Sequence, residues 1–164
     1  MILGMSADTF TQVHVALSLV GIVSGLIVLF GMLGAKKLDG WAALFLATTV
    51  LTSVTGFFFP FASFMPSHVL GILSLVFLAA ALMALYVYHL AGSWRWIYVV
   101  GAVVALYFNV FVGIVQAFMK VPFLQPLAPT QSEPPFLVAQ LVVMAIFIVL
   151  GILAVRNFHP AKGA

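Results

Sequence analysis

The amino-acid sequence predicts an all-α membrane protein, folded as a bundle of five transmembrane helices. Charged residues are scarce: six Lys or Arg and three Asp or Glu make up 5% of the 164 residues, whereas about 25% is usual in soluble domains. Hydrophobic residues make up 65% of the chain, and the mean hydropathy is +1.30. The apolar residues fall into five long runs, each near the ~20 residues that a helix needs to cross a hydrocarbon core about 30 Å thick.

The five runs are predicted to be helices rather than barrel strands. Backbone groups in lipid must be hydrogen-bonded within the protein, which leaves only helices and closed barrels. The runs lack the two-residue alternation of a barrel strand and are too long for one. The breaks between them are too short to hold a soluble module, so we expect a single domain over residues 1–164. The predicted helices cover residues 11–34, 41–62, 68–90, 96–119 and 136–155.

Polar and helix-breaking residues mark the ends of these helices. Asp39 and Gly40 lie in the first break, and Pro60 is expected to end the second helix. Ser67 is a suitable N-cap for the third helix, because its hydroxyl can accept a backbone hydrogen bond. Residues 120–135 contain five prolines. Since proline cannot continue a helix interior, this stretch is predicted to be a Pro-rich outer loop.

The distribution of the cations predicts the orientation of the helices. Inner flanks of membrane helices are enriched in Lys and Arg. Five of the six cations fall on the flanks that follow the first, third and fifth helices, and Lys120 falls on the other side. We therefore expect the N-terminus outside and the C-terminus inside. These cations are scattered over helix ends and form no basic stripe, so we expect no nucleic-acid partner. The five are Lys36, Lys37, Arg95, Arg156 and Lys162.

Polar residues on the fourth helix predict a ligand-binding cleft. Asn109, Gln116 and Lys120 are seven and four residues apart, which places them on one helix face. Gln140, in the fifth helix, is expected at a similar depth in the membrane to these residues. Glu133 lies in the loop and could contact Lys120 from there. These five residues predict an outward-facing polar cleft for a quinone or lipid head group or a small solute. The alternative is interhelical hydrogen bonding, in which Asn and Gln contribute about 0.6 kcal/mol on average.

Two histidines give a second candidate site. His14 lies about one turn inside the first helix, and His68 lies at the start of the third, on the same side of the membrane. Two imidazoles can hold a haem iron or another metal, so haem b is a possible cofactor beside a quinone. The alternative for His68 is an ordinary solvated histidine at the membrane interface.

Small and hydroxyl residues on the first two helices predict close packing. Gly21 and Gly25 form a small-xxx-small pair, which lets helix backbones approach each other. Thr48, Thr52 and Thr55 share a face of the second helix. Their hydroxyls can bond to the carbonyl one turn earlier without any other partner.

The absence of several motifs favours a non-catalytic role. The chain has no cysteine, no Asp or Glu within the apolar runs, and no phosphate-binding loop or HExxH motif. No catalytic residue is assigned. The sequence therefore favours a binding or accessory subunit that associates with other membrane subunits or with itself. Two alternatives stay open: a haem-binding redox protein and an oligomeric small-solute permease.

Parts of the chain resemble a known group of proteins. The segment from Tyr107 to Gln140 contains Tyr-Phe-Asn-Val-Phe-Val, Lys-Val-Pro and Leu-Ala-Pro-Thr-Gln-Ser-Glu-Pro-Pro-Phe, and Pro66-Ser67-His68 opens the third run. In these pieces the chain resembles small polytopic inner-membrane proteins of proteobacteria, a group with no assigned activity. The resemblance implies a bacterial inner membrane. In that membrane, the orientation expected from the cations places the N-terminus in the periplasm and the C-terminus in the cytoplasm. It implies no substrate or cofactor.

Overall fold

The computed structural model of the chain describes residues 2–59 and 66–160. Within these ranges the fold is all-helical and contains no strand, which confirms the all-α part of the predicted class. A π-helical turn, Met83–Val87, continues the third helix, and a short 3-10 helix covers Gln125–Leu127. The five α-helices are α1 Ala7–Leu33, α2 Asp39–Gly56, α3 Pro66–Leu82, α4 Trp94–Lys120 and α5 Pro134–Asn157.

Four of these helices have the length and composition of membrane spans. They are α1, α4, α5 and the continuous segment of α3 from His68 to the end of the π-helical turn. The chain is therefore compatible with a multi-pass membrane protein. The remaining helix, α2, has 18 residues, and its sequence includes one aspartate and several hydroxyl residues. Its lower apolarity sets it apart from the other four.

The first four helices surround a common centre. α1 packs against α2 and α4, and α3 packs against the same two helices from the opposite side. The fifth helix, α5, lies outside this group and packs against α4 and α1. In its most apolar window only 17% of α5 is buried, compared with 44% of α4. Apolar side chains therefore cover the outer surface of α5, as a lipid environment requires.

One half of the α1–α4 bundle is a packed apolar core. Phe45, Leu78 and Leu106 come from three different helices, and each is 1% exposed. Gly25 faces them: a Cβ atom there would lie 2.6 Å from Leu106 Cδ1 and 2.8 Å from Phe45 Cδ1. The predicted packing role of Gly25 is thus confirmed. We call this half, which contains the end of α1 and the start of α4, the core half.

The beginnings of the helices differ from the predicted bounds. α1 begins four residues early because Ser6 is its N-cap, with Oγ accepting a 3.2 Å hydrogen bond from the Thr9 amide. α3 begins at Pro66, so Ser67 lies within the helix and the predicted N-cap is wrong. α5 begins at Pro134 rather than at residue 136. Proline fits the first helical positions, where its missing N–H has no partner to lose.

Two helix ends were predicted too far along the chain. α2 ends at Gly56 and is followed by turns at 57–59, so a helix continuing to residue 62 is wrong. Pro60, the expected terminator, lies outside the described residues. The third helix ends with the π-helical turn at Val87, because His89 and Leu90 have φ angles of 50° and 62°. Left-handed residues of this kind end a right-handed helix.

Side chains fasten α5 to the bundle at the core half. Arg95, at the start of α4, donates from Nη1 to the Val155 carbonyl at 2.7 Å and to the Phe158 carbonyl at 2.9 Å. Asn157 donates to the carbonyl of Leu33, the last residue of α1, at 3.3 Å. The last carbonyls of a helix lack partners within the helix, so these bonds satisfy both helix ends and tie them together.

Candidate ligand-binding cavity

The other half of the α1–α4 bundle contains a partly open cavity of about 130 Å³, lined by polar and apolar side chains. We call this the cavity half; it contains the start of α1 and the ends of α2 and α4. Each of the four helices contributes polar side chains to the wall, and Leu70, Phe108 and Val112 add apolar patches. The polar lining residues are His14, Ser18, Thr49, Thr52, Ser53, His68, Ser74 and Asn109.

Helical spacing explains how these residues converge. On each helix the lining residues recur at intervals of three or four, so they share one face. His14 and Ser18 on α1, and His68, Gly71 and Ser74 on α3, follow this rule. The mixture of small and polar side chains leaves space where the core half has large apolar ones. The wall is therefore encoded by four short stripes, one per helix.

His14 is oriented by α2. Its Nδ1 lies 2.8 Å from Thr55 Oγ1. The Thr55 hydroxyl also lies 2.7 Å from the Leu51 carbonyl, to which it can donate its single hydrogen. With that hydrogen on the carbonyl, His14 Nδ1 is the donor to Thr55, and in the neutral ring Nε2 is left as a hydrogen-bond acceptor. The Phe59 ring packs edge-on at 5.1 Å and fixes the imidazole plane.

Asn109 joins α4 to α1. Its Oδ1 accepts from the Ser18 hydroxyl at 2.8 Å, and its Nδ2 donates to the Ser18 carbonyl at 3.3 Å. The residue is 7% exposed. Gly21 makes this approach possible, since a Cβ atom there would lie 3.1 Å from Asn109 Nδ2 and 3.0 Å from Thr49 Oγ1. Asn109 thus acts as an interhelical hydrogen-bonding residue and also as part of the cavity wall.

Several hydroxyl groups in the wall have hydrogen-bonding capacity left over. Among the described residues, Ser53 and Ser74 make no side-chain hydrogen bond, although Ser74 is only 6% exposed. Thr49 Oγ1 is fully buried and has no partner in the described chain. Buried polar groups are usually paired, so Ser53 and Ser74 leave unused hydrogen-bonding capacity in the cavity wall.

The two histidines that the sequence singled out lie in the same cavity. His68 is 6% exposed, and its ring stacks on that of Phe57 with centroids 5.6 Å apart. A solvated interfacial position for His68 is therefore wrong. His14 and His68 enter the wall from α1 and α3, which both pack against α2 and α4. Among the described residues, no group of three or more His, Asp or Glu is placed to hold a metal ion.

The predicted cleft residues are dispersed in the structure. Of the five, only Asn109 lines the cavity. Gln116 and Lys120 are exposed further along α4. Gln140 is 7% exposed and donates from Nε2 to the Phe111 carbonyl at 3.2 Å, which links α5 to α4. The reason is that α5 packs outside the α1–α4 bundle. Polar residues at the contact between α4 and α5 therefore do not face the centre of the bundle.

Glu133 folds onto its own loop rather than reaching Lys120. Its carboxylate accepts from the Thr130 hydroxyl at 2.6 Å and from the backbone amides of Thr130 and Ser132, each at 3.1 Å. The hydrogen bond from Thr130, supported by the backbone amides, lowers the pKa of the Glu133 carboxyl from 4.5 to about 2. The carboxylate therefore stays ionised at neutral pH and organises the turn before α5.

The packed core limits the depth of the cavity. Next to the cavity, the centre of the bundle is filled by the buried side chains of Phe45, Leu78 and Leu106. Within the described residues, the cavity therefore does not continue into the core half. This arrangement suits a binding pocket rather than a continuous pore.

Some wall residues were missed at the sequence level. Ser74 was not singled out, and neither was Phe57, although both line the cavity. The signal for Ser74 was present: His68, Gly71 and Ser74 are three residues apart, which gives α3 a small polar face in an otherwise apolar helix. The signal for Phe57 was absent, because a phenylalanine at the end of a membrane helix is typical of an apolar surface.

Comparison with known proteins yields no family for this chain. No family model, curated protein or solved structure matches it. Function must therefore be inferred from the cavity and the helices themselves.

Proposed function

We propose that this chain is a five-span protein of a bacterial inner membrane that serves as a non-catalytic binding or accessory subunit. Its N-terminus would lie in the periplasm and its C-terminus in the cytoplasm, as the positions of the cations favour. α2 supports the fifth span: its 18 residues extend about 27 Å, near the ~30 Å core, and it packs between α1 and α3. Its partners would be the lipid bilayer and further copies or other membrane subunits.

The proposed ligand is the head group of a quinone, bound in the cavity half. The size of the cavity supports this choice. It measures about 130 Å³, and an engineered apolar cavity of about 150 Å³ is known to hold benzene. The cavity is therefore close to the size of one six-membered ring, and Leu70 and Phe108 give it apolar wall area. A lipid head group is polar, as a quinone head group is, but it lacks a flat ring to place against these apolar walls.

The hydrogen-bonding groups of the wall support the same ligand. A quinone carries carbonyl oxygens on opposite sides of its ring and therefore needs donors on opposite walls. Ser53 on α2, Ser74 on α3 and Asn109 on α4 supply donors from three separate helices. The unpaired hydroxyl of Ser74, nearly buried in the wall, is the observation on which the proposal chiefly rests.

The test is equilibrium binding of decyl-benzoquinone to the purified protein in detergent. Loss of one neutral hydrogen bond, about 1–1.5 kcal/mol, corresponds to a five- to tenfold increase in Kd. We expect increases of this size for Ser74→Ala and at least tenfold for Asn109→Leu. The matched control is Gln116→Leu, which removes an exposed amide from the same helix and should leave Kd unchanged. Equal affinities for all four proteins, or no binding by the wild type, would exclude the quinone site.

A haem is the second candidate, because His14 and His68 line one cavity. The cavity volume of about 130 Å³ disfavours haem, since a ligand as large as haem needs a site of roughly 300 Å³ or more. The absorption spectrum of the same purified protein distinguishes the two ligands. A Soret band that disappears in His14→Ala would establish haem, whereas a colourless preparation that binds decyl-benzoquinone would support the quinone.

A further inference from the structure

A second concave surface lies on the outside of the bundle, away from the cavity. It is a groove of about 540 Å³ between α4 and α5, in the core half. Apart from Arg156 at one end, its lining is apolar or aromatic, and Gly151 forms part of its floor. The rings of Tyr107 and Phe147, 5.6 Å apart, lie toward its other end.

The length of the groove matches one leaflet of a bilayer. Along α5 its lining runs from Met144 to Arg156, an axial distance of about 18 Å. Half of a hydrocarbon core is about 15 Å. A partner helix would need a groove that continues through both leaflets, whereas a lipid acyl chain needs only this length. The groove therefore fits a lipid of the leaflet on the Arg156 side.

The charge at the end of the groove selects the kind of lipid. Arg156 is exposed, and in the described part of the chain it forms no ion pair and no side-chain hydrogen bond. Arg95, near the same membrane surface, is occupied by the carbonyls of Val155 and Phe158. Arg156 is thus the cation at the end of this groove that is available to a phosphate, and a guanidinium pairs well with phosphate oxygens.

We propose that the α4–α5 groove binds an anionic phospholipid, with one acyl chain between the helices and the phosphate against Arg156. Gly151 is essential to this arrangement because it leaves the groove deep at its middle. A Cβ atom there would lie 3.4 Å from Val103 Cγ1, an ordinary contact. A larger side chain at this position would extend into the space that the acyl chain occupies.

Native mass spectrometry tests this site after reconstitution into vesicles of equimolar phosphatidylglycerol and phosphatidylcholine. We expect the wild type to retain phosphatidylglycerol about fivefold more than phosphatidylcholine, the preference expected of one interfacial cation. Arg156→Gln should reduce this ratio to about one, and Gly151→Leu should lose the bound lipid. The controls are Lys36→Gln, an exposed cation near the same surface, and Val149→Leu, which lies on α5 outside the groove.

Four results would overturn the proposal. The wild type could retain no phospholipid, or it could retain both kinds equally. Arg156→Gln could keep the full preference for phosphatidylglycerol. This variant still tests the site if Gly151→Leu does not fold. Finally, the natural chain has no cysteine, so an Ile148→Cys variant that forms disulfide-linked dimers in vesicles would assign the groove to a second copy.

Discussion

Hydroxyl side chains of the helices differ in whether the preceding turn of the helix satisfies them. Thr48 donates to the Leu44 carbonyl at 2.7 Å, Thr52 donates to the Thr48 carbonyl at 2.8 Å, and Ser24 donates to the Val20 carbonyl at 2.6 Å. These bonds confirm the expected return of hydroxyls to the preceding turn, which satisfies a polar group locally. Ser53 and Ser74 make no such bond within the described chain, so they remain available to a ligand.

Glycines also have opposite roles according to what they face. At Gly25 an added methyl group meets Leu106 and the rigid ring of Phe45 within 2.8 Å. Overpacking of this kind costs about 1–3 kcal/mol. We therefore expect Gly25→Ala to lower the free energy of unfolding by that amount, measured by circular dichroism during SDS-induced unfolding from mixed micelles.

The control for this experiment is Gly113→Ala on α4. There the nearest atom to an added methyl group is Ile22 Cδ1 at 3.6 Å, an ordinary contact. Since alanine is favoured over glycine in a helix interior by about 1 kcal/mol, this variant should be as stable as the wild type or more stable. Unchanged stability of Gly25→Ala would show that the helices can separate at that crossing without cost.

At the scale of single helices, α5 depends on side chains of other elements for its position. Its own surface is apolar on nearly all sides, and it buries a small share of that surface. In lipid such a helix gains little from hydrophobic burial against its neighbours. The polar contacts of Arg95 and Asn157 at one end, and of Gln140 near the other, therefore carry much of its specific docking.

Substitution of Arg95 tests this view of α5. Arg95→Gln removes charge-assisted hydrogen bonds to the Val155 and Phe158 carbonyls, and bonds to charged groups contribute about 1.5–3 kcal/mol. We expect a loss of about 2 kcal/mol in unfolding free energy and faster amide hydrogen exchange in the last turns of α5. Lys36→Gln, an exposed cation near the same end of the bundle, should change stability by less than about 0.5 kcal/mol. Equal exchange rates in both variants would contradict the docking role.

At the scale of the whole molecule, the number of spans determines which side each loop occupies. With five spans, residue 36 after α1 and residue 123 after α4 lie on opposite sides of the membrane. If α2 did not cross, the same two residues would lie on one side. Phe123 is 79% exposed and Lys36 is exposed, so both positions accept a cysteine label.

A labelling experiment decides between the two topologies. Single-cysteine variants Phe123→Cys and Lys36→Cys are treated in intact cells with a membrane-impermeant maleimide. The natural chain contributes no cysteine of its own. We expect Phe123→Cys to react once the reagent has access to the periplasm, and Lys36→Cys to react only after the inner membrane is permeabilised. Equal reactivity of both sites while the inner membrane is still intact would exclude five spans.

Local features of the sequence determined the helices and their approximate bounds. The apolar runs, the scarcity of charge and the prolines around residues 122–135 act through backbone hydrogen bonding and solvation, which depend on nearby residues. Gly21 and Gly25 were recognised as packing positions because their spacing follows the helix period. The π-helical turn and the left-handed His89 were not predicted, since no glycine or proline within that segment marks them.

The tertiary arrangement alone decided which polar residues meet. The sequence grouped Asn109 with Gln116, Lys120, Glu133 and Gln140, because these lie on one helix face or at one depth. Depth and face do not specify which helix is the neighbour. α1 rather than α5 occupies the side of α4 that carries Asn109, so Asn109 joins Ser18 and shares a cavity with both histidines. Helix neighbours are set by the packing of small residues across several helices at once, and a single stripe of residues does not contain that information.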